Sequence, residues 1–294
     1  MKILLIINGG SGKMKVKQNM FDIVQLLNNK YDEVVIRLTK YRMHATEIIK
    51  STDLSEYSIV ACCGGDGTLN EVINGIMESG QKCTVGYIPT GSTNDFANSI
   101  GIPVNIIDAT KLVCEGNPTP IDIGYFNNQK HFTYIASFGI FTAVSYTTQQ
   151  SAKNVFGHLA YVLEGIKDIG NIKTYRIKTE SEGKTYEGEY IFGAVTNSTR
   201  MGGFAHLTNA EVDFSDGLLE VLLIKKPTNP NDLAKIILAI SNNNHNSDAF
   251  EFFKTSKVNF TFSEPTIWAL DGEAQPSDNN VKITAENNAI NIIL

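Results

Sequence analysis

The stretch from Cys63 to Met77, CGGDGTLNEVINGIM, has the residue types and spacing best suited to chemistry. A short apolar run typical of a buried strand leads into the turn Gly64-Gly65-Asp66-Gly67, and apolar residues at helical spacing begin at Leu69. Glycines let the backbone approach a ligand closely, and the first N–H groups of a helix have no partner within it. The pattern therefore predicts a strand, a turn and a helix that together bind an anion, above all a phosphate.

Asp66 places a negative charge where a plain anion site would have none. A carboxylate among phosphate-binding amides is best explained by a divalent cation between them, so the stretch indicates a nucleotide site that uses Mg²⁺. The Walker A spacing is absent from the chain, and Asn70 occupies the third glycine position of a dinucleotide fingerprint, which excludes both better-known phosphate motifs here.

Two further loops rich in small and polar residues, Asn8–Lys13 and Pro89–Asp95, also follow strand-like runs. In a parallel sheet such loops meet at the carboxyl edge, where ligands bind. Ser92 or Thr93 could cap the next helix or contact a phosphate, and Asp95 could hold a metal or serve only as a favourable charge at a helix start. These loops predict one shared site.

The composition is that of a folded protein whose partners do not include nucleic acid. The chain has 294 residues and a net charge of −6, which leaves no basic footprint. Its first apolar run is only Ile3–Ile7, far short of a signal peptide or a transmembrane segment, and its cysteines lack metal spacing. We interpret the chain as a cytoplasmic protein with reduced thiols.

The pattern of elements changes near residue 126. Residues 1–126 alternate strand-like and helical runs, which predicts an α/β domain with a mostly parallel sheet. Residues 127–294 contain many strand-like runs joined by turns, among them Phe132–Ala136, which predicts a β-rich antiparallel, sandwich-like domain. Helices are expected there only at 158–169 and Asp232–Ser241, and the last strands could pack in either domain.

The sequence GGDGTLNEVINGI, followed about twenty residues later by PTGSTNDFANSIGIP, resembles the diacylglycerol kinase catalytic domain family, which includes bacterial soluble lipid kinases and the sphingosine kinases. The GGDGT turn alone is shared with NAD kinases and phosphofructokinases. The resemblance also covers a β-rich second domain with an aspartate-rich turn, Asp213–Leu218, and a late Asp271-Gly272-Glu273.

The resemblance implies a role for each matching residue. It implies that Asp66, Asp95 and Asp122 form a carboxylate network around the catalytic Mg²⁺, and that Asp271 or Glu273 is the base that acts on the acceptor hydroxyl. It implies a structural Mg²⁺ at Asp213, Asp216 and the carbonyl of Leu218. The implied ATP contacts are Asn8, Gly9, Gly10, Ser11, Gly12, Thr39, Gly65, Asp66, Gly67, Thr68, Leu69, Asn70, Glu71 and Ser92.

The residues themselves suit the same chemistry, because phosphoryl transfer needs mainly positioning and charge stabilisation, with a carboxylate to accept the hydroxyl proton. We therefore predict a kinase that uses ATP and Mg²⁺ and phosphorylates diacylglycerol or a related lipid, with peripheral association at the membrane surface. Two alternative functions remain open: a kinase of a soluble acceptor such as NAD, and an inactive nucleotide-binding regulator. Taken alone, Asp271-Gly272-Glu273 could also be an ordinary hairpin turn. The identity of the lipid and a homodimeric state also stay open.

Overall fold

The computed structural model describes residues 1–10, 15–140, 170, 172–197, 213–242 and 247–294. The chain forms two compact units: Met1–Ile123 together with Asn287–Leu294, and Gly124–Glu286. The helix predicted at 158–169 lies outside the described residues.

The first unit is an α/β unit with a parallel sheet. Its strands follow the order β4-β3-β1-β2, and the end of β15 pairs with β4 through Asn291 and Ile292. The elements are β1 (Lys2–Ile7), α1 (Lys15–Lys30), β2 (Glu33–Leu38), α2 (His44–Lys50), a short 3-10 helix (Leu54–Glu56), β3 (Ile59–Gly64), α3 (Asp66–Ser79), β4 (Thr84–Pro89), α4 (Asp95–Ile100), α5 (Ile106–Glu115), the start of β5 (Pro118–Phe126) and the end of β15 (Asn280–Ile293).

Apolar sequence explains why this sheet is central in its unit. Residues Ile3–Ile7 of β1 and Val60–Cys63 of β3 have no solvent exposure, as expected for strands covered on both faces. The carboxyl ends of β1, β3 and β4 are followed by the three loops that the sequence predicted to meet at one edge, and the parallel α/β architecture is confirmed.

The second unit is built from antiparallel strands. Its elements are the end of β5, β6 (Lys130–Phe132), β7 (Ile135–Gly139), β8 (Tyr175–Ser181), β9 (Lys184–Thr196), β10 (Leu219–Lys225), α6 (Pro230–Ser241), β11 (Phe250–Thr255), β12 (Lys257–Phe262), β13 (Thr266–Leu270), β14 (Glu273–Ser277) and the start of β15. The strands follow the order β14-β13-β7-β9-β8-β12-β15, and β10 pairs with β9 and β11. The antiparallel β-rich class is also confirmed.

An aromatic cluster fills the core of the second unit. Trp268 is completely buried, with its ring centroid 4.8 Å from that of Phe138 and 5.3 Å from that of Phe260. Tilted and edge-on pairs of this kind add to the stabilisation that burial alone provides. Phe138 is therefore a core residue.

One predicted strand is wrong in detail. The run Phe132–Ala136 is divided between β6 and β7, with Thr133 and Tyr134 outside both strands. The break exists because the N–H groups of Thr133 and Tyr134 donate to the carboxylate of Asp271, far away in the sequence.

Within the described part of the chain, the helices lack the combination of length and apolar composition that crossing a membrane requires.

Candidate active site

The loop after β1 is tied to the turn after β3. The N–H of Asn8 donates to the carbonyl of Cys63 at 3.0 Å, and its Nδ2 donates to Oγ1 of Thr68 at 3.0 Å. Its Oδ1 accepts from the N–H of Gly10 at 3.0 Å, which folds the exposed residues Gly9 and Gly10 into a local turn. Asn8 therefore sets the position of this loop. Ser11 and Gly12 lie outside the described residues.

The junction between β3 and α3, where Gly65 alone separates the two elements, requires glycine for steric reasons. A Cβ on Gly64 would lie 2.5 Å from Cβ of Thr68, which side chains do not tolerate. Gly65 has extended backbone angles and precedes α3, whose first residue is Asp66. Because the first N–H groups of α3 have no acceptor within the helix, this end of α3 is suited to an anion.

The turns after β3 and β4 touch through two glycines. A Cβ on Gly91 would lie 2.8 Å from Cα of Gly65, and a Cβ on Gly65 would lie 3.2 Å from Cα of Gly91. A side chain at either position would push the two loops apart. The close approach brings the start of α3 next to the start of α4.

Asp66 and Asp95 meet at this junction. Oδ2 of Asp66 accepts from the backbone N–H of Asp95 at 2.9 Å, and Oδ1 accepts from the hydroxyl of Tyr87 at 3.2 Å. Burial, together with the nearby charge of Asp66, raises the pKa of Asp95 to about 7. Two carboxylates held this close disfavour being ionised together unless a cation lies near them.

Sequence reasoning missed Tyr87 and Asn94. Tyr87 is buried in β4. Its hydroxyl, in an otherwise apolar strand, is the sequence feature that could have identified it as a site residue. Asn94 is 7% exposed, and its backbone has the left-handed conformation, with φ 51°. Its Oδ1 has no hydrogen-bond partner among the described residues. Ser92 is exposed in the same loop, as a contact to a ligand requires.

Glu71 has a partner that the sequence did not reveal. Its carboxylate accepts from the N–H groups of Met43 at 2.8 Å and Ala45 at 3.1 Å, at the start of α2. A carboxylate is favourable at the positive end of a helix, so Glu71 stabilises the start of α2. Thr39 follows β2, and its N–H donates to the carbonyl of Ile7 at 2.9 Å.

The remaining predicted nucleotide contacts differ in exposure. Gly67 is exposed, Thr68 and Asn70 are buried polar residues, and the side chain of Leu69 is fully buried in the core. Leu69 could therefore offer a ligand only its backbone.

Asp122 lies completely buried in β5. Its Oδ1 accepts from the N–H of Asn288 at 2.7 Å, at a point in β15 where Asn288 is left-handed, with φ 51°. The structure thus brings Asp66 and Asp95 together, and it gives Asp122 a contact with the last strand of the same unit.

In the second unit, Asp271 is surrounded by donors. Oδ2 accepts from the N–H of Thr133 at 2.6 Å and from its hydroxyl at 2.7 Å, and Oδ1 accepts from the N–H groups of Tyr134 and Ile135, each at 3.1 Å. Asp271 is 6% exposed and left-handed, with φ 47°, in the turn between β13 and β14. Burial raises the pKa of Asp271, and the four hydrogen bonds partly oppose that shift.

Glu273 begins β14 and is more accessible. Its Oε2 lies 3.4 Å from Nζ of Lys130, and both side chains are 26% exposed. The neighbour of Lys130, His131, stacks on Tyr125 with ring centroids 4.3 Å apart, and its Nε2 lies 3.3 Å from Oε2 of Glu286. The two acids of the Asp-Gly-Glu turn therefore have different surroundings: Asp271 is enclosed, and Glu273 reaches solvent.

The aspartate-rich turn before β10 is ordered by its own acids. Oδ1 of Asp213 accepts from the N–H and hydroxyl of Ser215, which lowers the pKa of Asp213. Oδ1 of Asp216 accepts from the N–H of Leu218 at 2.9 Å. Among the described residues, no set of three His, Cys, Asp or Glu side chains is close enough to hold a metal by side chains alone.

Two further residues lie beside this turn and were not found from the sequence. Nζ of Lys254 lies 3.5 Å from Oδ2 of Asp216 and 3.3 Å from Oε1 of Glu220. Glu220 is 3% exposed, and burial raises its pKa to about 7 although Lys254 opposes the shift. A lone acid in the apolar strand Leu219–Lys225 was the signal that could have identified Glu220.

Comparison with known proteins assigns the class. The sequence-family model of the diacylglycerol kinase catalytic domain matches residues 2–126. The family model of the YegS C-terminal NAD kinase beta sandwich-like domain matches residues 135–294. A diacylglycerol kinase of Bacillus subtilis (strain 168) is 32% identical over 270 residues, covering 92% of this chain and 88% of the relative. A diacylglycerol kinase of Staphylococcus aureus (strain MRSA252) is 32% identical over 273 residues, covering 92% of this chain and 85% of the relative.

Solved structures agree in fold. A diacylglycerol kinase structure from Bacillus anthracis str. Sterne covers 99% of this chain and 96% of its own, with a TM-score of 0.78 at 23% identity. Another Bacillus anthracis chain reaches a TM-score of 0.86 at 25% identity, with the same coverage. The enzyme class is that of a lipid kinase. The chain belongs to the diacylglycerol kinase catalytic domain family.

Proposed function

We propose that this lipid kinase transfers the γ-phosphoryl group of ATP, in the presence of Mg²⁺, to the hydroxyl of diacylglycerol or a closely related lipid. The observation that carries the proposal is the contact between Asp66 and Asp95 at the start of two helices, beside glycine turns suited to phosphate. The names of the relatives support the acceptor, and the kinase class supports ATP.

The nucleotide phosphates are assigned to the loops that follow β1, β3 and β4. Asn8 fixes the first loop against Thr68, and the glycine contact fixes the second against the third. Helix N-termini and glycine-rich turns stabilise negative charge without needing to reorganise during the reaction. Glu71 contributes by holding the start of α2 through the N–H groups of Met43 and Ala45.

The residues present fit a catalytic Mg²⁺. Asp66 and Asp95 supply hard carboxylate oxygens. Burial, and secondarily the charge of Asp66, raises the pKa of Asp95, and a cation bound beside both carboxylates would favour their ionised forms. When bound, the ion supplies positive charge that offsets the charge on the phosphates. Asp122 is kept as a proposed member of this carboxylate network.

We assign the base to Glu273 and a positioning role to Asp271. A carboxylate has about four lone-pair sites, and those of Asp271 already accept from Thr133, Tyr134 and Ile135. Glu273 is partly exposed and has Lys130 as a neighbour, so it is accessible to an acceptor hydroxyl. Glu273 therefore takes the hydroxyl proton, and Asp271 fixes the turn that presents it.

The donor set of the aspartate-rich turn also fits a structural Mg²⁺. Asp213 and Asp216 offer carboxylate oxygens and Leu218 offers a carbonyl, which are the ligand types that this ion prefers. Such an ion would hold the turn in the conformation seen before β10.

A transfer assay with purified protein tests the proposal and its alternatives. Radiolabelled ATP and Mg²⁺ are supplied with mixed micelles that contain diacylglycerol, ceramide, sphingosine or monoacylglycerol, and separately with NAD. Label in a diacylglycerol-like lipid is expected. Label in NAD would favour the soluble-acceptor alternative, and ATP binding without transfer to any acceptor would favour the regulator.

A further inference from the structure

Strand β10 contains one buried acid in an apolar sequence. Glu220 lies directly opposite Lys254 of β11 in the antiparallel register, and Oε1 of Glu220 is 3.3 Å from Nζ of Lys254. The side chain of Glu220 is 4% exposed, and that of Lys254 is 26% exposed. This ion pair is therefore screened by solvent far less than a pair on an open surface.

The same ammonium group also reaches the aspartate-rich turn. Nζ of Lys254 is 3.5 Å from Oδ2 of Asp216, and the other oxygen of Asp216 accepts from the N–H of Leu218. One lysine thus joins an acid of the turn to an acid of the strand. The contact holds the turn against the sheet of the second unit.

Among the residues that the structure describes, the charges of this cluster do not balance. Asp213, Asp216 and Glu220 are three acids, and Lys254 is the cation that contacts two of them. Oε2 of Glu220 is buried and has no hydrogen-bond partner among the described residues. A buried carboxylate with an unsatisfied oxygen is costly, so the cluster favours additional positive charge.

We infer that Lys254 is a built-in cation of the aspartate-rich turn: its ammonium group shares Asp216 with a divalent ion and holds the turn to Glu220 when that ion is absent. The inference rests on the metal site proposed for Asp213, Asp216 and Leu218. It predicts that the turn of the native protein depends only weakly on metal, because the lysine supplies part of the required charge. If Lys254 formed only an ordinary surface ion pair, its removal would leave the metal dependence of the protein's stability unchanged.

Thermal unfolding of the full chain provides the test, with Lys254→Met as the central variant. In EDTA its apparent melting temperature is expected to fall by roughly 5 °C relative to the native protein. Mg²⁺ is expected to restore most of that loss and to raise the melting temperature of the variant more than that of the native protein, because ligand binding stabilises the folded state and Lys254 no longer competes. Sodium chloride at equal ionic strength controls for screening.

Lys226→Met is the matched control, since Lys226 forms an exposed pair with Glu189 at 3.0 Å. It is expected to show the native response to EDTA and Mg²⁺. The inference is overturned if Lys254→Met melts within about 1 °C of the native protein in EDTA, or if Mg²⁺ restores it no better than sodium chloride does.

Two further variants keep the test decisive. If Lys254→Met gives no folded protein, the double variant Lys254→Met/Glu220→Gln is used, because it also removes the uncompensated buried charge. Mg²⁺ is still expected to raise its melting temperature more than that of the native protein. An equal or smaller rise contradicts the inference. Asp213→Asn in the Lys254→Met background should abolish the restoration by Mg²⁺, and a restoration that persists would place the ion elsewhere and refute the proposed site. Phosphate transfer is measured separately, so failure of the lipid-kinase assignment would be visible independently.

Discussion

The backbone N–H of Asp95 donates to the carboxylate of Asp66 at 2.9 Å, so the first residues of α3 and α4 are joined directly. The contact orients Asp66, and it also places the Asp95 carboxylate close to a second negative charge. Both consequences lead to measurable effects.

The first prediction concerns pH and the stability of the metal-free protein. The pKa of Asp95 is raised from 3.8 to about 7 in the folded state, so its contribution to stability is full below pH 3.8 and is lost as the pH rises through 7. Asp95→Asn removes the titrating group, so at pH 8 in EDTA the variant should be more stable than the native protein by up to about 4 kcal/mol, with little difference at pH 4.

Chemical denaturation of both proteins across this pH range is the measurement. A difference between Asp95→Asn and the native protein that does not change with pH would contradict the assigned environment. Mg²⁺ should reduce the difference at pH 8, because an ion near Asp66 and Asp95 offsets their repulsion.

The second prediction concerns the contact between glycines. Gly91→Ala places a Cβ 2.8 Å from Cα of Gly65, so the loops must separate and the apparent melting temperature should fall by about 5 °C. Gly67→Ala is the control, because a Cβ there meets no heavy atom within 4 Å and alanine favours a helix. Equal effects of the two substitutions would show that the close approach is unimportant.

The third prediction separates Asp271 from Glu273. Asp271→Asn replaces a carboxylate oxygen by an amide donor that faces the N–H groups of Thr133, Tyr134 and Ile135. The free energy of unfolding should therefore fall by about 3 kcal/mol. Glu273→Gln should leave stability nearly unchanged but lower the rate of lipid phosphorylation by about 100-fold or more.

Glu264→Gln, an exposed acid before β13, is the control for both variants and should change neither quantity. Normal stability of Asp271→Asn together with lost transfer would reverse the assignment and make Asp271 the base.

The sequence was sufficient for those parts of the fold that local pattern determines. Strand β1 and helix α3 follow from apolar runs and from spacing, and the edge where the glycine loops meet follows from parallel strand order. The break between β6 and β7 could not be predicted, because it depends on the carboxylate of Asp271, which is 138 residues away from Thr133.

The same limit applies to the site. Asp66 was predicted in the glycine turn and Asp95 at a helix start, but the contact between them depends on how two loops pack. Glu71 was assigned to the nucleotide from the motif alone, whereas its contact with the start of α2 arises only in three dimensions. Lys254 carried no local signal, because strand pairing alone places it opposite Glu220.

The central claim is tested most directly by the rate at which Asp66→Asn transfers labelled phosphate from ATP to diacylglycerol in mixed micelles. The amide keeps the size of the side chain but removes the charge, so the rate should fall by at least about 100-fold, while Asp22→Asn, an exposed acid on α1, keeps the native rate. An Asp66→Asn enzyme with the native rate at saturating Mg²⁺ and ATP would contradict the account.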